Sequence, residues 1–344
     1  MLVGLFIVAL LLTGLLTGWL RRYALAASLI DIPNARSSHL LPTPRGGGLS
    51  IVIVFLLGLL SLFGLDLLTS ATLWALLGAG AIVAITGFLD DHGHIAARWR
   101  LLVHFSAAAW GLYCLGGLPP VILPVPGFDV VAVELGWLGQ ILALLYLVWL
   151  LNLYNFMDGI DGLASIEAIT VCLGAALLYV LQAEVSDLWM TPVFLAVTVS
   201  GFLVWNFPPA KIFMGDAGSG FLGMVLGLLS IQATWIESSF LWSWLILLAV
   251  FITDATWTLF MRLLKGDKVY QAHCSHAYQY AARCYGSHKK VSLMVAAINV
   301  IWLLPLALCV GLRLVNAGLG LLLAYVPLIL IAIVFRAGQK EVLL

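Results

Sequence analysis

Charge is what this sequence has least of. Aspartate, glutamate, lysine and arginine make up 9% of its 344 residues, against about a quarter in soluble domains. A chain that is 63% apolar cannot maintain a water-facing surface, which excludes a soluble globular protein and makes lipid its main solvent. Polar stretches are also missing: none exceeds about thirty residues, so residues 1–344 read as a single integral membrane domain. Cysteine is sparse. Cys114, Cys172, Cys274, Cys284 and Cys309 are odd in number and scattered, which argues against a disulfide framework. Internal repeats are absent too, leaving an inverted-repeat transporter without support. The net charge of zero carries no message about partners because the charges are segregated, and no nucleic-acid partner is expected. The first twenty residues are apolar with no basic residue ahead of them, and Arg21 and Arg22 follow; this reads as a retained span, not a signal peptide.

About twenty apolar residues cross a bilayer as a helix. Eleven runs approach that length: about 1–20, 46–64, 71–89, 100–116, 136–153, 162–182, 190–206, 218–235, 239–262, 292–312 and 317–335. An odd count puts the termini on opposite sides. With the N-terminus outside, the inner loops and tail hold Arg21, Arg22, Arg36, Arg45, Arg98, Arg100, Lys211, Arg262, Lys265, Lys268, Arg283, Lys289, Lys290, Arg336 and Lys340, and the outer loops hold only Arg313. That asymmetry is what the positive-inside rule requires. The predicted fold is an all-α, polytopic transmembrane bundle of about eleven spans with its C-terminus inside.

Carboxylates near membrane depth are costly and point to function. Here they gather on the inner side. Asp90 and Asp91 end the third run, Asp158 and Asp161 sit in Asn155-Phe-Met-Asp-Gly-Ile-Asp-Gly162, and Asp216 precedes the eighth in Gly215-Asp-Ala-Gly-Ser-Gly220. Five neighbouring negative charges repel unless a cation or protons intervene. Oxygen-only ligands suit Mg²⁺, with Mn²⁺ as the alternative, better than zinc. The pattern therefore predicts a metal–diphosphate site. The competing reading is ordinary helix capping, which suits Asp161 and Asp216 individually. Gly218 and Ser219 stand where free helix N–H groups can receive phosphate. The spacing of Gly218, Gly220 and Gly223 matches a dinucleotide motif, but no strand surrounds it, and close helix packing explains Gly220 and Gly223 as well.

The inner loop 263–291 carries His273-Cys-Ser-His276. On a helix the two histidines would share a face and could hold a phosphate. A zinc site lacks the usual split ligand pairs, and a basic loop drawn to anionic lipid is the plainer alternative. The first inner loop, with His39 and Arg45, could close over a ligand or be a polar linker. Asn206 and Lys211 fall on the same side as Asp216. Asp254, two turns before Arg262 within the ninth run, is expected to face the bundle interior.

Phe88-Leu-Asp-Asp91, Asn155-Phe-Met-Asp-Gly-Ile-Asp-Gly-Leu-Ala164, the stretch from Asn206 through Lys211 and Phe213-Met-Gly-Asp-Ala-Gly-Ser219, and His273-Cys-Ser-His276 occur in that order. Over nearly the whole chain they resemble the polyprenyl-phosphate N-acetylhexosamine-1-phosphate transferases, glycosyltransferase family 4. That resemblance implies a bundle of ten or eleven helices in the bacterial inner membrane, with a Mg²⁺-dependent site on the cytoplasmic face. It further implies attack of undecaprenyl phosphate on the β-phosphorus of a UDP-N-acetylhexosamine, releasing UMP. By position it makes Asp90 and Asp91 the pair at the metal and lipid phosphate, Asp216 a metal ligand with Asp91, and Asp158 and Asp161 residues of the nucleotide region. His273 and His276 match the histidines of the late loop, and Asn155, Asn206, Lys211, Gly218, Ser219, Arg45, His39 and Arg262 are expected to bind substrate. The two histidines are spaced apart, unlike the adjacent run of the phospho-N-acetylmuramoyl-pentapeptide transferases, and Cys274 stands where a basic residue is expected. The loop looks most like the O-antigen-initiating members.

A lipid phosphate is largely ionised near neutral pH, so positioning and charge neutralisation matter more than a strong base. Direct attack is the expected mechanism, with a covalent aspartyl route as the alternative. The pentapeptide transferase reaction and a membrane carrier are the rival functions. A carrier predicts ionisable groups on a path from side to side, whereas those identified here crowd one face. A lipid-facing and a dimer-facing helix surface read alike, so a homodimer stays open.

Overall fold

The computed structural model describes residues 2–33, 37–39, 41–93, 95–123, 125, 132–182, 187–267 and 273–339. Three of the basic residues assigned to the inner side, Arg36, Lys268 and Lys340, lie outside the described residues. The chain is helical almost throughout: α1 (Leu2–Ala26), α2 (Leu49–Gly64), α3 (Ser70–His92), α4 (Ala97–Leu115), α5 (Gly136–Met157), α6 (Leu163–Leu181), α7 (Met190–Asn206), α8 (Asp216–Ile236), α9 (Ser239–Leu247), α10 (Ala249–Leu264), α11 (Ala277–Tyr285), α12 (His288–Ala297), α13 (Leu304–Gly311) and α14 (Ala317–Val334). Two short antiparallel ladders interrupt them. β1 (Ile30–Asp31) pairs with β2 (Thr43–Pro44), with Ile30 opposite Pro44, and β3 (Val121–Ile122) pairs with β4 (Ala132–Val133).

Each of the eleven apolar runs falls on a helix or a helix pair. Seven of these are long and apolar enough to cross a membrane, eight if the bent pair α9–α10 is one span, while α2 and α7 are shorter apolar helices. The structure therefore establishes a multi-pass helical bundle with seven to eight such spans among the described residues. Two helices depart from a plain rod. The ninth run breaks at Leu248, where α9 and α10 meet at 71°. The tenth contains a π-helical segment, Ile298–Leu303, between α12 and α13. Both irregularities converge on Glu167, a residue of α6 with 0% exposure. Asn299 of the π segment donates to its Oε2 at 2.7 Å, and the Phe251 amide at the start of α10 faces it. A buried carboxyl thus meets backbone and side-chain donors that a break and a bulge release.

α8 is the central helix. Within its apolar window 83% of residues are buried, against 17% for α1 at the periphery. Small residues let its neighbours approach to backbone contact. A Cβ on Gly223 would lie 2.7 Å from the Leu150 carbonyl oxygen and the Leu151 Cα, and one on Gly87 would lie 2.5 Å from the Ala217 nitrogen. So α5 and α3 flank α8 at van der Waals distance, and α3 delivers Asp90 and Asp91 to its start.

The loops segregate into two ends. At one, Gln140 accepts from the Leu118 amide, Trp235 donates to the Gly117 carbonyl, Gln182 donates to that of Gly311, and Arg313 pairs with Glu237. At the other lie the described residues of 30–48 and 90–97, with 158–162, 206–216 and 273–276, which carry the carboxylate motifs.

Gly223→Ala is expected to lower stability by about 1–3 kcal/mol, the usual cost of overpacking, read as the thermal midpoint of the detergent-solubilised protein. Gly64→Ala, whose added Cβ meets nothing within 4 Å, is the control and should change stability by less than about 0.5 kcal/mol.

Candidate active site

The carboxylate end is built on α3 and α8. Gly215 adopts φ +79° ahead of α8 and leaves its first amides without a side-chain cap of their own. Asp91 supplies one from α3: its Oδ1 accepts from the Asp216 amide at 3.3 Å and its Oδ2 from that of Ala217 at 3.4 Å. A carboxylate there also complements the helix dipole. Capping thus occurs, but by Asp91 across an interface. Asp216 is the first residue of α8, and Asp161 precedes α6, whose cap residue Gly162 has no side chain to bond the first amides.

Asp216 then faces two elements. Its Oδ1 accepts from Asn155 Nδ2 at 2.9 Å, and the same amide group donates to Ser219 Oγ at 2.9 Å. Its Oδ2 lies 3.5 Å from Arg100 Nη1, and its carboxyl meets that of Asp90. Arg100, at the start of α4, also forms an ion pair with Asp90, which accepts the Ile95 amide at 2.8 Å as well.

Two cavities open on either side of Asp216. The larger, about 600 Å³, is lined by His39, Arg45, Asp91, Asp158, Asp161, Asn206 and Phe213 among others. Arg45 donates to the Asp91 carbonyl at 2.6 Å, and the His39 ring meets Phe213 edge-on at 4.9 Å. Asn206 accepts from the Gly162 amide at 3.0 Å and donates to the Ile212 carbonyl at 3.1 Å, holding two loops together. The smaller cavity, about 450 Å³, has Asp90, Arg100, His104, His273 and His276 beside apolar walls of Val83, Leu101, Leu151 and Phe156. Asn155 and Asp216 line both.

The carboxylates differ in what meets them. Asp161 is partly buried, which raises its pKa, but a hydrogen bond with His288 and the Ala210 amide outweigh burial and hold it below the usual range. Asp158 has no such donor among the described residues. Burial first, then the charges of Asp216, Asp91 and Asp161, push it well above the carboxylate range.

The late histidines do not share a helix face. Residues 273–276 are irregular, and His276 caps α11. Their rings nevertheless stack, with centroids 4.8 Å apart. Asp254 fixes His276, in the buried, interior-facing position expected for it. It accepts from the Ala277 and Tyr278 amides, both at 2.9 Å, and from Thr258 and His276 Nδ1. Burial, with His276 and Arg262 adding, lowers His273 to about 3, so its ring is a neutral donor or acceptor at neutral pH.

Four expected binding residues, Lys211, Arg262, Gly218 and Ser219, line neither cavity. Lys211 holds its ammonium 5.6 Å above the Trp205 ring, Arg262 is buried on α10, and Gly218 packs its Cα face against Gly48, where a Cβ would come within 2.7 Å of the Gly48 Cα. Ser219 acts through Asn155. Conversely, Arg100 and His288 were read from the sequence only as a loop charge and not at all, respectively.

Residues 73–234 match the model of glycosyl transferase family 4. A Bacillus subtilis protein named "probable undecaprenyl-phosphate N-acetylglucosaminyl 1-phosphate transferase" is 30% identical over 300 residues, 86% of this chain and 82% of that one. The chain belongs to glycosyl transferase family 4. A decaprenyl-phosphate N-acetylglucosaminephosphotransferase of Mycolicibacterium smegmatis is 29% identical across 65% of this chain and 58% of its own length. A phospho-N-acetylmuramoyl-pentapeptide-transferase of Bacillus pumilus is 28% identical across 63% and 69%. The stretch matched by the family 4 model contains all five aspartates of the carboxylate end and ends before the late histidines.

Because the folded state raises the Asp158 pKa, it favours the protonated form. Its contribution to stability is present below the ordinary aspartate range and is lost as pH rises through the raised value. Asp158→Asn is therefore expected to unfold at a higher temperature than the native chain at pH 8 and at the same temperature near pH 4. Asp254→Ala strands several buried donors, each costing about 1–3 kcal/mol; the loss should appear as faster amide exchange across 273–285.

Proposed function

We propose that this chain transfers N-acetylglucosamine-1-phosphate from UDP-N-acetylglucosamine to undecaprenyl phosphate, giving the lipid diphosphate sugar and UMP. The observation that carries this reading is the pair of cavities sharing Asp216 and Asn155. One is walled by polar loops, with an aromatic ring and Arg45, and suits a nucleotide-sugar. The other joins Arg100 and the late histidines to apolar helix walls, and suits a phosphate on an isoprenoid tail. The lipid phosphate oxygen bonds to the β-phosphorus, and the bond from that phosphorus to the bridging oxygen breaks, leaving with UMP. With Asp90 paired to Arg100, the two together orient the incoming phosphate, and no strong base is needed.

Asp216 and Asp91 would hold Mg²⁺, or Mn²⁺. The donors are of the right kind: carboxylate oxygens of Asp90, Asp91 and Asp216 gather at the start of α8, and among the described residues no three His, Cys, Asp or Glu side chains are grouped so as to hold an ion by themselves. That suits an ion taking one or two carboxylates and filling its shell with phosphate and water. Bound there, the ion neutralises charge on the diphosphate.

The eleven helical segments are taken to cross the bacterial cytoplasmic membrane alternately, N-terminus outside, placing the carboxylate end in the cytoplasm. The segregation of the loops into two ends supports this, as do the basic residues at the carboxylate end. The spaced histidines support a role in starting a surface polysaccharide of the O-antigen kind over the pentapeptide transferase reaction.

Purified protein is expected to release UMP only when given undecaprenyl phosphate, Mg²⁺ and a UDP-N-acetylhexosamine together. Asp216→Asn should lower the rate about a hundredfold or more. Release without lipid, or from the variant at the native rate, would sink the reading.

A further inference from the structure

His288 opens α12, yet its ring reaches two loops distant in sequence. Nδ1 lies 3.2 Å from Asp161 Oδ1, and Nε2 lies 2.9 Å from the Ser38 carbonyl oxygen. The ring is not a surface group: its side chain is 19% exposed and that of Asp161 12%. The Asp161 amide also lies 3.4 Å from Nδ1, so Asp161 meets this ring through both its side chain and its backbone. The first turn of α12 reinforces the link, for Ser292 donates to the Asp161 carbonyl at 2.9 Å. Asp161 Oδ2 meanwhile accepts from the Ala210 amide at 3.0 Å. One imidazole thus ties together the loop before α6, the loop before α8 and the first loop.

The first loop is pinned at its near end by the β1–β2 ladder, Ile30 to Pro44 and Asp31 to Thr43. Its far end is fixed by backbone bonds: the Gly47 amide to the Phe213 carbonyl at 2.9 Å, Gly48 to Met214 at 2.8 Å, and Phe213 to Pro44 at 2.8 Å. Ser38 and His39 lie before that anchored stretch and line the larger cavity, as does Asp161, whereas His288 does not. The ring therefore stands behind the cavity wall, not in it.

We propose that His288 is a positioning residue that clamps Ser38 and His39 against Asp161, so that the first loop forms a fixed wall of the nucleotide-sugar cavity. The proposal rests on the reading of that cavity as the donor site. A clamp behind the wall sets how well the donor is held and leaves the lipid phosphate side, across Asp216, unchanged.

UMP-release kinetics with both substrates varied test it, together with amide exchange of the protein alone. His288→Ala is expected to raise KM for UDP-N-acetylglucosamine about tenfold, with kcat and KM for undecaprenyl phosphate held within about threefold. His288→Gln, whose amide can still reach the Ser38 carbonyl, should recover part of the donor KM. In peptides spanning 37–48, exchange should be faster in His288→Ala than in the native chain and intermediate in His288→Gln. A fall in kcat with donor KM unchanged, equal rises in both KM values, or unaltered exchange in that loop would each overturn the clamp. A native chain that releases no UMP from any nucleotide-sugar would overturn the donor reading, and the exchange result would still decide whether His288 holds the loop.

Discussion

The whole carboxylate end depends on Asp91 meeting the start of α8. A helix begins with amides that have no partner of their own, and in an apolar bundle they must find one. Here the partner comes from another helix. The arrangement is possible only because two residues lack side chains: a Cβ on Gly87 would strike the Asp216–Ala217 backbone, and one on Gly215 would lie 2.7 Å from Asp91 Oδ2. Once α3 and α8 are locked in this way, Asp90 is carried against Asp216, and Arg100 can reach both. The juxtaposition of like charges is thus a consequence of helix packing.

The opposite flank is organised by the same logic. Asp254 reads as an intramembrane charge, but four donors from α10 and the start of α11 surround it, so it serves as the peg on which the late histidines hang. Its position depends in turn on where α10 begins, and α10 begins at a break facing Glu167. Two buried acids, Asp254 capping α11 from α10 and Glu167 seated between a break and a π segment, thus hold the elements that flank the late histidines. Buried polar groups persist when they find donors: Asp254 is met at both oxygens, and Glu167 at Oε2 by Asn299, while its Oε1 has no hydrogen-bond partner among the described residues.

Much of this end was legible in the sequence because carboxylates are rare in an apolar chain and their spacing relative to the runs put them on one side. The helices were legible for the same reason. The break at Leu248 and the π segment were not, since a helix apolar on every face has no periodicity for an irregularity to interrupt. Lys211 and Arg262 were drawn into the site by their charge, yet one covers an indole ring and the other is buried on α10: a basic residue near an active site need not point into it. His288 was passed over for the converse reason. It sits among lysines in a loop that looks solvated, and only the fold brings it to Asp161 and Ser38. Glu167 escaped notice inside a long apolar run.

What remains is a difference among the five aspartates that the geometry makes explicit. Asp91 is met by two helix amides, Asp90 by an amide and a guanidinium, Asp161 by an amide and an imidazole, and Asp216 by an asparagine amide with Arg100 at the edge of contact. Asp158 alone of the five meets no donor among the described residues. Five carboxylates face the guanidiniums of Arg45 and Arg100 in one small region, so negative charge is in excess there. Two routes relieve it: a proton on the undonated acid, or a divalent cation between carboxylate and phosphate oxygens. Burial and the charges of Asp216, Asp91 and Asp161 raise the Asp158 pKa, which is the first route, and that acid stands on the wall of the larger cavity beside Asp91, Asp161 and Asp216.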